Sequence, residues 1–273
     1  MMTDGAYRFD LQGRCVHLHG GLSLPLSGFG SWSVGTEAVA AHLRAGGRLI
    51  DTASYYDNEE EVGAAVRRSG IPRAEIIVQT KLWPSQFADP ERGIGEALRR
   101  LGVGYIDLML LHHPGTHELR AWRAIERHIR AGDIRAGGLS NYYLRELPPL
   151  LAQAEIAPVL VQNEIHPYYQ EQEVVPFIQG YALAVQAYFP LGGRGHVRRL
   201  LEDPQLCSLA AAHGVSPAQA VLRWHLQRGI MPLPGSSRPE HIRSNMALWD
   251  FELSPAEMQG IAALDRGTKF DWY

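Results

Sequence analysis

The stretch Gly47–Gly63, GRLIDTASYYDNEEEVG, sets the pattern from which the rest of the chain is read. Its first five residues, Gly47–Asp51, form a short apolar run that ends on a carboxylate. Two adjacent tyrosines, Tyr55 and Tyr56, follow at once. A run this short suits a strand buried on both faces. Similar runs recur at Ile76–Lys81, Ile106–His112, Ile134–Ser140, Val159–Gln162, Ala182–Tyr188 and Ile230–Pro234, with a weaker, glycine-punctuated one at Leu24–Gly30. Between them lie helical patterns such as Glu37–Ala45, Pro90–Leu101, Glu118–Ala131 and Pro217–Gln227. Each gap is long enough for a crossover helix.

Eight strand–helix units in a chain of 273 residues predict an α/β fold, a (β/α)8 TIM barrel spanning residues 1–273 as one domain. A doubly wound sheet is the rival, but no Gly-x-Gly-x-x-Gly follows a first strand. Tyr7–Ser23, with alternating residues and glycines, predicts a hairpin that plugs the barrel bottom. Ser216-Pro217 and Ser254-Pro255 place a hydroxyl at a helix start and proline just inside it. The second pair predicts an extra C-terminal helix over Ala256–Leu264.

Composition excludes several classes. Apolar residues make up 45%, the net charge is -3 and the pI about 6.5. That balance gives no pull towards nucleic acid or anionic lipid. No stretch reaches the roughly 18 apolar residues of a membrane span, and Met1–Gly13 has no basic start followed by an apolar run. A cytoplasmic protein is expected. Cys15 and Cys207 are too isolated for a disulfide framework or a Cys-x-x-Cys zinc site, and two buried free thiols are expected. His112, His113 and His117 do not share one helix face, and no carboxylate cluster completes them, so no metal site is expected.

The C-terminal ends of barrel strands carry the active site in this architecture. Here they hold Gly30-Ser31-Trp32, Asp51, Lys81, His112, Ser140-Asn141, Gln162, Tyr188 and Gly235-Ser236 in turn. Several longer motifs follow the same order: IDTASYYDNEEEVG (Ile50–Gly63), TKLW (Thr80–Trp83), LLHHP (Leu110–Pro114), GDIRAGGLSNY (Gly132–Tyr142), QNEIHPYYQ (Gln162–Gln170), AYFPLG (Ala187–Gly192) and PGSSRPEHIRSN (Pro234–Asn245). Together they resemble the aldo-keto reductase family over roughly Leu24–Asn245, closest in style to short prokaryotic members such as the diketogluconate reductases.

The resemblance implies an NADP-dependent reductase of aldehydes and ketones. NADPH is preferred and NADH possible, and the partner is a small carbonyl substrate bound by a monomer. It also implies a catalytic set of Asp51, Tyr56, Lys81 and His112. The chemistry is coherent. Carbonyl reduction needs a hydride on carbon and a proton on oxygen. A phenol near pKa 10 is a weak acid unless a cation stabilises its anion; Lys81 is expected to supply that charge and Asp51 to hold Lys81. The family places the acid five residues after the aspartate, which selects Tyr56 over Tyr55. A structural ion pair is the alternative for Asp51 and Lys81.

For the cofactor the resemblance implies Gly30, Ser31, Trp32 and Asp51, then Ser140, Asn141 and Gln162 on the carboxamide. Tyr188 would stack on the ring, with Leu191 beside it. Ser236, Ser237, Arg238, His241 and Asn245 would meet the adenosine end, ahead of a helical stretch Pro239–Leu248. Taken alone, Asn141 is also a common turn residue, and Gln162 can simply satisfy buried backbone groups. Phe189 stands where serine is usual, and His113 replaces a tryptophan. Trp32, Tyr55, Trp83 and His113 are expected to line the substrate pocket, or the aromatic ones to pack. The segment His113–Glu118 and the tail after Asp265, ending Lys269–Tyr273, are short, so an open site is expected. A catalytically silent nicotinamide-binding sensor or subunit on the same fold is the alternative function.

Overall fold

A computed structural model describes residues 7–271. Met1–Ala6 and Trp272–Tyr273, which belong to the domain span and tail of the sequence reading, lie outside the described residues. Three short strands, β1 (Arg8–Asp10), β2 (Cys15–His17) and β3 (Ser23–Pro25), form an antiparallel sheet ahead of the barrel. Eight parallel strands follow: β4 (Phe29–Gly30), β5 (Leu49–Asp51), β6 (Ile77–Leu82), β7 (Ile106–Leu111), β8 (Ile134–Ser140), β9 (Leu160–Glu164), β10 (Ala184–Tyr188) and β11 (Ile230–Pro232). They pair in sequence order, as a barrel requires.

The helices are α1 (Thr36–Arg44), α2 (Glu59–Arg68), α3 (Pro90–Leu101), α4 (Glu118–Ala131), α5 (Leu147–Leu151), α6 (Val174–Gly180), α7 (Val197–Leu201), α8 (Pro204–Ala212), α9 (Pro217–Gln227), α10 (Pro239–Ser244) and α11 (Pro255–Ala262). The two Ser-Pro starts work as their chemistry suggests. Ser216 Oγ accepts from Gln219 N, and Gln219 Oε1 accepts from Ser216 N; Ser254 and Glu257 repeat this box at α11. The extra helix α11 packs on α8.

The ring closes through backbone rather than through a ladder. Gly28 N donates to Pro232 O (3.1 Å) and Gly30 N to Pro234 O (3.2 Å). Pro232 and Pro234 have no N–H to return, so the seam carries only one direction of bonding. Small residues let it close: a Cβ on Gly235 would lie 2.5 Å from Gly30 O.

Period two along each strand sorts side chains into two cores. Ile50, Val78, Met109 and Val161 face outwards and pack with helix residues such as Val39, Ile94, Trp122 and Ile125. Leu49, Ile77, Leu108, Leu110, Leu160, Ala184 and Met231 face inwards and meet Val16, Leu18, Leu22, Leu24 and Leu26 of the N-terminal sheet. That sheet is therefore the plug of the barrel floor. His19 Nε2 reaches Pro158 O at 2.8 Å, just before β9.

Three expectations are corrected and one is extended. Leu24–Gly30 is split: Leu24 and Pro25 belong to the plug, and only Phe29–Gly30 joins the barrel. The expected hairpin plug is present, and β3 adds a third strand to it. The stretch Pro239–Leu248 is helical only to Ser244. Neither thiol is buried, because Cys15 lies on the open face of the plug and Cys207 on the outer side of α8.

Gly63 tests the packing of α2 on α3. An alanine Cβ there would fall 1.8 Å from Leu101 O. Helix propensity favours alanine by about 1 kcal/mol, but displacing a packed backbone costs about 1–3 kcal/mol or more. Gly63→Ala is expected to lower stability on balance, and chemical denaturation showing a gain would contradict this packing.

Candidate active site

A cleft of about 550 Å3 opens at the C-terminal ends of the strands. The inward side of the pleat supplies its base. Asp51, Gln79, Lys81, His112, Ser140, Gln162, Gln186 and Tyr188 all occupy inward positions, one or two pleats above the apolar residues Leu49, Ile77, Leu110, Leu160 and Ala184.

Lys81 and Asp51 are both buried, with Nζ 2.7 Å from each carboxylate oxygen. Lys81 Nζ also donates to Thr52 O (3.0 Å) and Tyr56 Oη (3.2 Å). The carboxylate has further donors in Gln79 Nε2 (2.6 Å) and Gln162 Nε2 (3.1 Å). Gln186 Oε1 accepts from those same two amides, at 2.9 and 3.1 Å. Asp51 and Gln79 are register partners across β5 and β6, and Gln162 and Gln186 across β9 and β10. The four side chains thus close a polar ring across the barrel.

Burial governs the proton affinities. It lowers that of Lys81, against the pull of Asp51. It holds the Tyr56 phenol well above its usual range, and the carboxylates of Asp51 and Asp271 push the same way. Any stabilisation of the phenolate by Lys81 works against burial and these two carboxylates. The lysine charge is spent on Asp51 at contact distance, so Tyr56 faces an ion pair rather than a bare cation. His112 falls well below its ordinary value through burial, then through Lys81 and His113. It is a neutral imidazole, and its buried Nδ1 has no hydrogen-bond partner among the described residues.

Aromatic rings wall this point. His112 meets Trp83 edge-on at 5.0 Å and Tyr56 at 5.7 Å, and stacks on His113 at 5.1 Å. Burial, Lys269 and Lys81 lower His113 to about 4. Tyr55 is 47% exposed and stacks on Trp83 at 4.1 Å, so its hydroxyl is not the one beside Lys81. Trp32 packs on Phe189 at 5.4 Å, and the Arg194 guanidinium lies 4.7 Å over its ring. Phe189 sits at φ +49, a conformation unfavourable for an aromatic residue.

Gly30, Leu191, Asn141, Gln162, Tyr188, Ser236, His241 and Asn245 line the same cleft. Asn141, at φ +61, donates to His112 O (3.0 Å), which turns its Oδ1 towards Tyr188 Oη at 2.7 Å. Ser31, Lys81 and Ser140 are buried behind the wall. Ser31 O accepts from Asn58 Nδ2, and Ser140 Oγ from Asn141 Nδ2. Ser237 and Arg238 are exposed just outside the lining.

The lining combines an aromatic ring, amides, hydroxyls and an imidazole, the kinds of group a dinucleotide would need. The Tyr188 ring and two amides stand beside the acid end, while hydroxyl and imidazole groups stand at the other. Because Gln162 Nε2 is tied to the ring of four, its Oε1 is the atom left to accept a hydrogen bond.

The Aldo/keto reductase family pattern matches residues 28–266. The chain belongs to the aldo/keto reductase family. It is 35% identical over 272 residues to the morphine 6-dehydrogenase of Pseudomonas putida, covering 93% of this chain and 92% of that one. To the glyoxal reductase of Bacillus subtilis (strain 168) it is 36% identical over 259 residues, covering 92% of each. Among solved structures, an aldo/keto reductase from Brucella melitensis superposes with TM-score 0.87 at 37% identity, covering 92% of this chain and 97% of that one. MGS-M4, an aldo-keto reductase from a Medee basin deep-sea metagenome library, superposes with TM-score 0.90 at 33% identity, covering 94% and 97%. As an aldo/keto reductase the chain is an oxidoreductase, and among its described residues no helix is long and apolar enough to cross a membrane.

Four groups were missed by sequence reading. Gln79 and Gln186 were legible in principle, each two residues before a selected strand-end residue. Arg194 lies in a loop. Asp271 arrives from the tail, expected to leave the site open: Phe270 N and Asp271 N donate to the buried Glu164 carboxylate at 2.6 and 2.8 Å, and Phe270 stacks between His166 and His196. This anchoring sets Asp271 Oδ2 2.9 Å from Tyr188 Oη, leaving that hydroxyl two acceptors for one proton.

Lys81→Met removes the cation from a buried carboxylate. A broken buried pair costs about 3–5 kcal/mol; the two glutamine donors that remain bring the expected loss to roughly 2–4 kcal/mol. Lys81→Met with Asp51→Asn leaves no unpaired charge and is expected to recover part of it. Urea denaturation of both variants checks this, and an unchanged single variant would mean the pair is not holding the site.

Proposed function

We propose that this aldo/keto reductase reduces aldehydes or ketones to alcohols with NADPH, Tyr56 donating the proton. The observation that carries the reading is the contact of Tyr56 Oη with Lys81 Nζ at 3.2 Å, beneath the neutral His112 imidazole. The nicotinamide, when bound, supplies the hydride. Tyr56 keeps its proton across the physiological range and delivers it only as negative charge develops on the carbonyl oxygen. His112 orients that oxygen through its ring N–H, without a charge of its own. Lys81 steadies the phenolate left behind, and Asp51 with Gln79 and Gln162 steadies Lys81. Tyr188 would wall one side of the nicotinamide, and Asn141 and Gln162 would hold its carboxamide. Trp32, Tyr55, Trp83 and His113 form the substrate side.

The silent-sensor alternative would leave a complete proton-donating set unused. Removing one oxygen atom separates the two readings. Tyr56→Phe is expected to lower carbonyl reduction by at least about a hundredfold, with NADPH affinity, read by fluorescence quenching, nearly unchanged. Tyr55→Phe is expected to stay active. A silent wild-type chain across aldehydes, ketones, keto-sugars and dicarbonyls would sink the enzyme reading, and loss on Tyr55→Phe instead would displace the donor.

The cofactor preference rests on charge at the far end of the cleft. NADPH carries a 2′-phosphate, usually met by arginine or lysine. The family's usual lysine and arginine are replaced here by Gly235 and His241. Arg238 is exposed at the rim, free to turn to a phosphate, with its backbone held by Ser236 Oγ at 3.1 Å. A guanidinium there can form a bidentate pair. Arg238→Ala is expected to weaken NADPH binding roughly tenfold or more and to leave NADH almost untouched. Equal losses for both, or a wild-type preference for NADH, would refute this assignment.

A further inference from the structure

A second cluster of chemistry-bearing side chains lies at the opposite end of the barrel, on the plug. Asp10 and Cys15 are register partners across β1 and β2, and His17 follows Cys15 by two residues. The pleat therefore puts all three on one face. A carboxylate oxygen of Asp10, Cys15 Sγ and a ring nitrogen of His17 all lie within 4.8 Å of one another. Sγ is 3.3 Å from His17 Nε2.

The surroundings favour ligation. His17 Nδ1 lies 2.9 Å from Ser23 Oγ. With Nδ1–H donating to that hydroxyl, the Nε2 lone pair faces the thiol, the tautomer a metal-binding imidazole needs, held by a second group. Asp10 accepts Gly13 N on Oδ1 (2.7 Å) and Arg8 Nη1 on Oδ2 (2.8 Å). Each oxygen keeps a lone pair, and the Arg8 side chain, 65% exposed, is free to swing into solvent.

We propose that Asp10, Cys15 and His17 form a binding site for a thiophilic divalent cation, of which zinc is the natural probe. Ligand atoms around tetrahedral zinc stand roughly 3.5 Å apart. The Cys15–His17 pair already has that spacing at 3.3 Å, and an Asp10 oxygen lies within 4.8 Å of both. Mixed sulfur, nitrogen and oxygen donors select zinc-like ions over magnesium or calcium. The fourth position is left to water, as all three residues are only half-buried. Binding displaces the thiol proton to solvent and leaves a thiolate on the metal. The ion would tie β1 to β2 across their turn and brace the barrel floor, far from the cleft.

The test is titration of the chelator-stripped full chain with cobalt(II), followed by zinc(II). One equivalent of cobalt is expected to give a thiolate-to-cobalt absorption in the near ultraviolet, which zinc then displaces. Cys15→Ser is expected to abolish the band, and His17→Ala to weaken binding at least about tenfold. Cys207→Ser is expected to leave it intact, and all three variants to keep wild-type circular dichroism. A spectrum without the thiolate band, or one that survives in Cys15→Ser or vanishes in Cys207→Ser, would overturn the site. Should Cys15→Ser fold poorly, alkylation of wild-type Cys15 with and without zinc decides the question. Protection is expected, and equal labelling counts against it.

Discussion

The buried Asp51–Lys81 pair is the constraint on which the rest of the site depends. Two charges taken out of water are tolerated only where geometry and further hydrogen bonds repay the desolvation. Both carboxylate oxygens meet Nζ at 2.7 Å, and two glutamine amides complete the shell. Those glutamines come from opposite sides of the barrel and share Gln186 as acceptor. The pair therefore fixes β5, β6, β9 and β10 against one another at the level where the apolar interior gives way to the cleft.

The pair also explains why the phenol stays protonated. A lone cation beside Tyr56 would draw its proton affinity down. A cation already matched by a carboxylate leaves burial in control, and burial favours the neutral phenol. The same neutrality extends to His112. On the proposed mechanism this site holds no ready base and no ready cationic acid. Its proton moves only in response to charge created in the reaction.

Around this core the chain uses residues without donors or without side chains. Pro232 and Pro234 accept across the seam and cannot return the bond, while Gly28 and Gly30 provide the donors. Tail and plug have opposite placements. The tail is fastened by Glu164 and delivers Asp271 into the cleft. The plug seals the floor with Leu18, Leu22 and Leu24 and leaves its polar face, Asp10, Cys15 and His17, outside.

The sequence by itself determined the barrel, its strand order and the inward set Asp51, Lys81, His112, Gln162 and Tyr188. These follow from period two and from strand ends, which are local properties of the chain. The resemblance to the family, not the chain alone, singled out Tyr56 over Tyr55; in the fold Tyr56 is the one whose hydroxyl lies beside Lys81, while Tyr55 stacks on Trp83. Only the tertiary structure decided what depends on distance between remote segments. Leu24–Gly30 divided between plug and barrel because Leu24 pairs with Val16 of the plug and Phe29 with Ile50 of the barrel. Gln79 and Gln186, 107 positions apart, became partners only when the sheet closed. Asp271 reached Tyr188 because Glu164 binds the tail backbone. The proton affinity of Tyr56 is set first by burial and then by the carboxylates of Asp51 and Asp271, surroundings that no spacing in the chain encodes.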